Sequence, residues 1–400
     1  MNAFNQSTLR RPVPLSGIAR NAPAIAAALC LAGLNSAPAL SAQTDAPKAP
    51  ATALKVEEIA TGLVNPWSLQ FLPDGRMLVT ERPGRLRIVT SDGRISPPVA
   101  GLPKVYASGQ GGLLDIRLAG DFASTGMLFF SFAEPRQGGK AATSVGRAKL
   151  ILDGESGRLE NLKVIYRQEP AIRSGHHFGS RIVIANDGSL FVTTGDRGSQ
   201  SDKAQDPGVP IGKVLHITAE GEPAPGNPAQ DGKAGWGPQV WSMGHRNLQG
   251  AVFDRQNNRL WTVEHGARGG DELNHPEAGR NYGWPVISYG RHYSGGKIGV
   301  GTSKAGLEQP VYYWDPSIAT SGLELYTGDL FAGWKGNLLV GGMAGAQLSR
   351  LVLENGEVTA EEKLLTDRGD RIRDVRQGPD GAIYVLTDDP SGHLLRLSPG

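Results

Sequence analysis

One pattern returns six times between residue 54 and the C-terminus: a turn carrying Gly or Asn, followed at once by a short apolar run. Pro73-Asp74-Gly75 leads into RMLVTER, Ser124-Thr125-Gly126 into MLFFSFA, and Asn186-Asp187-Gly188 into SLFVTTGD. Gln256-Asn257-Asn258 leads into RLWTVEHG, Trp334-Lys335-Gly336 into NLLVGGM, and Pro379-Asp380-Gly381 into AIYVLTDD. The runs have the β-branched and aromatic content of strands, and the turns supply residues that tolerate the positive φ a hairpin needs. The spacing is irregular, so the loops between units vary while the hairpin itself recurs. Past the first 42 residues no stretch shows a helical period. A two-sheet sandwich would not repeat one hairpin six times. The chain therefore reads as all-β, a six-bladed β-propeller with antiparallel four-stranded blades whose loops at one end share a concave site. A strand near Lys55–Ile59 is expected to complete the last blade and close the ring.

Composition agrees and excludes other classes. The chain has 55 Gly and 27 Pro in 400 residues without collagen periodicity, as many tight turns require. Its 41 basic and 39 acidic residues lack the one-sided charge of a nucleic-acid binder. There is no apolar run of about 18 residues, the length a membrane span needs. The sole cysteine, Cys30, rules out a disulfide framework and Cys-ligated zinc or iron–sulfur sites.

Residues 1–42 differ from the rest. Arg10, Arg11 and Arg20 precede the apolar stretch Ala22–Leu34, and Ala39-Leu40-Ser41-Ala42 ends in small residues. This is the layout of a secretory signal peptide, so a periplasmic or secreted protein is expected. Arg10-Arg11 hints at twin-arginine export, against which stand Pro12 and Pro14; Leu29 before Cys30 is too bulky for a lipoprotein signal. Residues 43–53 read as a flexible linker and 54–400 as the propeller domain. Loss of the leader removes three arginines and the only thiol, leaving a formally slightly acidic, thiol-free chain.

Polar residues gather between the repeats. His176 and His177 adjoin on an extended segment, so they point to opposite sides and make a poor metal chelate, although one neutral imidazole could act as a base near neutral pH. Arg246 and Asn247 sit between Gly244 and Gly250, a forked cation beside an amide suited to planar oxygen-rich groups. Arg371 and Arg373 stand at i and i+2 on one strand face, where two cations need an anion between them. Asp367, Asp370 and Asp374 could supply it, and so could a bound polycarboxylate. The loop Glu264–Asn274 combines bare glycines with Asp271 and Glu272, oxygen donors of the kind calcium favours, or else forms a solvated acidic turn. Gly109-Gln110-Gly111-Gly112 holds too many glycines for a strand start unless something approaches closely, and it lacks the lysine of a phosphate loop. The chain has no G-x-S-x-G elbow, no H-E-x-x-H and no dinucleotide fingerprint.

Taken in order, the blocks GLVNPWSLQFLPDGRMLVTER, GQGGLLDI, HHFGSRIVI with TTGDRG, AQDPGVPIGKVLHI, GHRNLQGAVF, EHGARGGDELN with RNYGWP, and RIRDVRQGPDGAIYVLTDD resemble the soluble glucose and aldose sugar dehydrogenases that depend on pyrroloquinoline quinone (PQQ). That resemblance spans nearly the whole chain after the leader and implies the same six-bladed fold. It implies oxidation of aldose sugars at C1 to lactones, with His177 as general base and hydride transfer to C5 of PQQ. Arg246 would polarise the accepting carbonyl, with Asn247 beside it; Arg371 and Arg373 would hold the PQQ carboxylates, and Gln110 would contact cofactor and substrate. The carbonyls of Gly266 and Ala267 would bind the calcium that bridges to PQQ, and Glu272 with the Tyr282 carbonyl a second, structural Ca2+. Two departures stand out: a lysine of the family's glucose dehydrogenases is replaced here near Ala344, and the acid before their catalytic histidine is His176. Both place the chain nearer the aldose sugar dehydrogenase branch, with an open site. The implied partners are an aldose and an external electron acceptor, with no nucleic acid, and the chain is expected as a monomer or homodimer. Two alternatives remain: a non-catalytic propeller binding glycans or a protein partner, and a calcium-dependent lactonase, which would leave Arg371 and Arg373 without a task.

Overall fold

The structure is a computed structural model and describes residues 42–400. The leader expected over residues 1–42, with its arginine pair and Cys30, lies outside the described residues save for its last position.

Six antiparallel sheets follow one another around a ring, a six-bladed β-propeller as the repeats imply. Blade 1 comprises Pro66–Phe71, Met77–Glu81 and Arg85–Val89; blade 2 begins at Leu113–Leu118 and ends at Ser156–Arg167. Blade 3 runs from Ile182–Ile184 to Val240–Met243, blade 4 from Leu248–Asp254 to Tyr312–Trp314, and blade 5 from Thr320–Leu325 to Glu357–Leu364. Blade 6 holds Ile372–Gln377, Ile383–Thr387 and Gly392–Pro399, and its outer strand is the N-terminal Leu54–Leu63. That strand pairs antiparallel with Gly392–Pro399 from Leu54 opposite Pro399 to Leu63 opposite Gly392, so the ring closes as anticipated. Five blades have four strands. In blade 1 the fourth position is taken by an irregular segment, with Ser96 N–H donating to Ile88 O and Val99 N–H to Leu86 O.

The six repeated turns share one backbone device. Gly75, Gly126, Gly188, Asn258, Gly336 and Gly381 all have positive φ, between 49° and 86°. Each sits in the hairpin joining the first and second strands of its blade. Glycine takes that conformation without steric cost and asparagine tolerates it, which is why those residue types recur there.

Burial explains why strand alternation is muted. Met77–Glu81 and Leu338–Gly342 are buried at every position, because a blade is packed on both faces by its neighbours. The core accordingly divides into blade-to-blade clusters. Leu78 and Ile88 pack with Leu113 and Phe130, Leu190 and Leu215 with Val145, and Leu69 and Val79 of blade 1 with Leu386 and Leu394 of blade 6.

The innermost strands carry polar side chains into the axis. Arg181 lies between two carboxylates there, with Nη1 3.2 Å from Asp115 Oδ1 and 3.1 Å from Asp374 Oδ1. Ser68 Oγ donates to Asp115 (2.6 Å), and Arg376 approaches Asp374 to 3.2 Å. All four charged groups are buried, so the channel is plugged by ion pairs at mid-height.

Residues 43–53, expected as a flexible linker, are laid along the outer edges of blades 4, 5 and 6. Gln43 O accepts from Tyr313 N–H, Pro47 O from Glu361 N–H, and Ala53 O from Gly400 N–H, each at 2.9 Å. Among the described residues no helix is long and apolar enough to cross a membrane.

Candidate active site

The loops that precede the innermost strands and those that follow the second strands meet at one end of the ring, joined there by the long connection between the third and fourth strands of blade 4. They bring together segments far apart in sequence: 109–112, 174–180, 194–198, 244–247, 264–272, 281–284, 371–373 and 388. The glycines of 109–112 serve this convergence. A Cβ on Gly109 would lie 2.4 Å from Gly175 O, and one on Gly112 2.1 Å from Arg82 O, so what approaches closely is the chain's own backbone.

His177 occupies the centre with φ of 49°, a left-handed conformation that costs a β-carbon residue roughly 1–2 kcal/mol and turns the ring away from its strand-like neighbours. Its backbone N–H donates to Gln110 Oε1 (2.7 Å), and its Nδ1 lies 2.6 Å from Asp196 Oδ1. Asp196 is buried and held from two other directions, by Gly198 N–H (2.7 Å) and by the Trp284 indole N–H on Oδ2 (2.9 Å). Burial is the largest single influence and works against its charge, but the bond and charge of His177, the Gly198 N–H and Arg246 together keep the Asp196 carboxyl below the ordinary range. An ionised carboxylate only accepts, so the His177 proton resides on Nδ1 and Nε2 keeps its lone pair. Burial first, then the nearby Arg246 cation, lowers the imidazole below its usual value, more than Asp196 raises it. His176 is exposed, its ring 6.3 Å from that of His177; the two do not lie on an extended segment as expected, because His177 is left-handed.

Arg246 is fixed by its backbone and by its head. Its N–H donates to Glu264 Oε2 (2.6 Å), Nη1 donates to His265 O (3.2 Å), and the guanidinium lies 5.3 Å from the centroid of the Trp284 ring. Glu264 in turn takes His245 Nδ1 on its other oxygen (2.8 Å). His265 Nε2 faces Thr320 O (2.7 Å); burial above all pushes its imidazole down to about 3, so it stays neutral with a proton on Nε2.

Arg371 and Arg373 do converge, and the anion between them is none of the three aspartates named from sequence. Asp370 pairs with Arg368 (2.7 Å), and Asp374 belongs to the channel plug. The shared partner is Asp388, with Oδ2 2.8 Å from Arg373 Nη2 and 3.5 Å from Arg371 Nη2. Antiparallel pairing sets this up, since Asp388 N–H donates to Arg371 O (2.8 Å). One carboxylate thus faces two guanidiniums, and Arg82 lends its charge nearby. Among the described residues, Arg373 Nε, Asn247 Nδ2 and Asp388 Oδ1 are buried without a hydrogen-bond partner. Unmet donors beside surplus positive charge fit a planar, carboxylate-bearing group, the chemistry of PQQ.

The loop at 264–272 presents mainly backbone. Asp271 turns inward, accepting from Gly266 N–H (2.8 Å) and Ser317 Oγ (2.7 Å), so it braces the loop and is no free ligand. Glu272, its neighbour on the opposite strand face, stands across from Glu264, and Asn274 Nδ2 donates to both (3.1 and 3.2 Å). Burial and the Glu264 charge push Glu272 up to about 8. A small pocket lies between Glu264, Glu272, Tyr282 and Gly266. Among the described residues no cluster of three or more His, Cys, Asp or Glu side chains forms a metal site, so a cation here would rest largely on carbonyls, as calcium can. Ala344 is exposed at the rim, and Arg371 Nη1 reaches the carbonyl of adjacent Met343 (3.4 Å).

Sequence reasoning did not assign Asp196, Trp284, Glu264, Arg82 or Asp388. Asp196 and Trp284 lie inside the quoted blocks TTGDRG and RNYGWP, and a carboxylate set in a glycine-flanked strand end was the available signal.

One mouth of the propeller thus joins a histidine–carboxylate pair to clustered guanidiniums. Residues 63–396 match the glucose/sorbosone dehydrogenase family, and the chain belongs to it. It is 43% identical over 354 residues to aldose sugar dehydrogenase YliI of Escherichia coli (strain K12), covering 88% of this chain and 94% of that one. The crystal structure of the soluble aldose sugar dehydrogenase from Escherichia coli in the apo-form superposes with a TM-score of 0.83 at 42% identity, over 87% of this chain and all of that one. The PQQ-bound form of aldose sugar dehydrogenase from Streptomyces coelicolor gives 0.70 at 29% identity, over 88% and 100% of the two chains.

Proposed function

We propose that this chain is a PQQ- and calcium-dependent dehydrogenase that oxidises aldose sugars at C1 to lactones. The observation that carries the reading is the pairing of His177 with Asp196 beside the cations Arg246, Arg371 and Arg373. Its likeness to an aldose sugar dehydrogenase of Escherichia coli and to the PQQ-bound form of another from Streptomyces coelicolor supports it.

His177 accepts the proton of the anomeric hydroxyl on Nε2, while Asp196 keeps the other proton on Nδ1 and stabilises the imidazolium that results. When bound, PQQ supplies the acceptor for the two electrons and the hydrogen leaving C1. Arg373, buried, and Arg371, half exposed, hold carboxylates. The Arg246 guanidinium and the unpartnered Nδ2 of Asn247 would offer a positive charge and a hydrogen-bond donor to the cofactor's oxygens. Gln110, already bonded to the His177 backbone, borders both cofactor and sugar. The Gly266 and Ala267 carbonyls would hold one calcium ion, and Glu272 with the Tyr282 carbonyl would hold a second. Residues 1–42 direct export and residues 54–400 carry the activity. Reconstitution tests the reading: apo-protein given PQQ and calcium should reduce an artificial acceptor dye when supplied with aldoses. No turnover across a panel of sugars would overturn it.

A further inference from the structure

Trp284 touches both halves of the site and has no part in the roles assigned above. Its indole N–H donates to Asp196 Oδ2 (2.9 Å), the oxygen that His177 does not use. Its ring lies under the Arg246 guanidinium, 5.3 Å from centroid to Cζ, within cation–π range. The residue is itself anchored: its backbone N–H donates to Gly244 O (2.9 Å), and its carbonyl accepts Gln205 Nε2 (2.7 Å). Gly244 makes this approach possible, because a Cβ there would lie 2.2 Å from Asn281 Oδ1 and 2.6 Å from Gly283 N. The segments 244–247 and 281–284 are thereby locked as one unit, with the indole directed at a third segment, 196.

We infer that Trp284 is a positioning residue that joins the proton-accepting and charge-stabilising halves of the site, its N–H fixing the carboxylate behind His177 and its ring face seating Arg246. The inference rests on His177 being the base. A carboxylate held by three donors is a weaker acceptor toward any one of them, so the indole bond tempers the pull of Asp196 on the His177 proton. The charged and titratable groups facing His177 are Asp196, Arg246, His176 and His265, and of these only Asp196 and Arg246 are touched by Trp284.

Trp284→Phe keeps a ring under Arg246 and removes the donor. Asp196 then pulls harder on the imidazole proton, and the acid limb of kcat/KM moves to higher pH by about half a unit or more. Trp284→Leu removes the ring as well and adds a several-fold loss in PQQ affinity, read by direct titration. An acid limb that stays in place in a folded Trp284→Phe protein overturns the inference while leaving the dehydrogenase reading intact. A second measurement needs neither turnover nor a Trp284 variant. In full-length apo-protein labelled with 15N at its indole nitrogens, one indole signal should shift with pH at the midpoint of His177 and lose that response in His177→Gln. If no indole signal follows His177, the linkage does not exist. If dye reduction fails in wild type yet the indole titrates, the linkage stands and the sugar dehydrogenase reading falls.

Discussion

His177 Nδ1 lies 2.6 Å from Asp196 Oδ1, and the same carboxylate receives the Trp284 indole on its second oxygen at 2.9 Å. The base of the proposed reaction is therefore oriented by a buried anion that is itself held rigid, an arrangement that sets both the tautomer and the acidity of the imidazole.

Replacing the base should separate binding from chemistry. His177→Ala is expected to bind PQQ with near wild-type affinity and to lose turnover by about 10²–10⁴-fold. Spectroscopic titration of the cofactor and single-turnover kinetics check the two halves; full turnover in the variant would remove His177 from the mechanism.

Because burial and Arg246 lower His177 beneath its ordinary value, the free base persists into mildly acidic solution. The rate should rise with pH through that lowered value, placing the acid limb of kcat/KM below about pH 6.5. Asp196→Asn takes away the group that raises the imidazole, so the limb should move lower still while the maximal rate drops. A pH–rate profile of both proteins tests the sign.

Arg371 and Arg373 should differ in consequence although they share Asp388. Arg373 is 8% exposed at its side chain and Arg371 52%. Arg373→Ala strips a buried carboxylate of its main partner and is expected to cost about 3–5 kcal/mol of stability as well as cofactor affinity. Arg371→Ala should weaken PQQ binding with little change in thermal unfolding. Equal losses of stability in the two variants would contradict the asymmetry.

The channel plug predicts a purely structural effect. Arg181→Met takes from Asp115 and Asp374 the nearer of the two cations they share, leaving Arg376 between them, at a cost on the order of 3–5 kcal/mol in denaturant unfolding. The kinetic constants of the folded fraction should change little.

Calcium removal should act on stability before chemistry. A chelator is expected to lower the melting temperature of the wild type, and added calcium to restore it in a concentration-dependent way, by about 2.7 kcal/mol at a hundredfold excess over Kd. Glu272→Gln should flatten that dependence, which differential scanning calorimetry would show.

Much of the fold was legible because its signals are local. The six turns needed residues that accept positive φ, and each next run needed strand formers, so Gly75, Asn258 and Gly381 announced their hairpins without any distant partner. The closing strand was expected near Lys55–Ile59 from the topology of a ring, and it spans Leu54–Leu63. The segment 43–53 was not: its polar, proline-bearing composition suits a spacer, and its backbone bonds go to blades 4, 5 and 6.

By itself the sequence determined an all-β ring of six hairpin units and, through its motif blocks, most of the side chains gathered at its mouth. Only the tertiary structure decided how they are paired. His177 and Asp196 are 19 positions apart on two loops of blade 3, and Asp196 and Trp284 88 apart on blades 3 and 4, so their bonds depend on loops that meet only when the blades are packed side by side. Asp388 displaced Asp367, Asp370 and Asp374 as the partner of Arg371 and Arg373 through strand register. Turn and strand preferences act over a few residues, whereas these contacts exist only once the ring has closed and fixed the register of every blade.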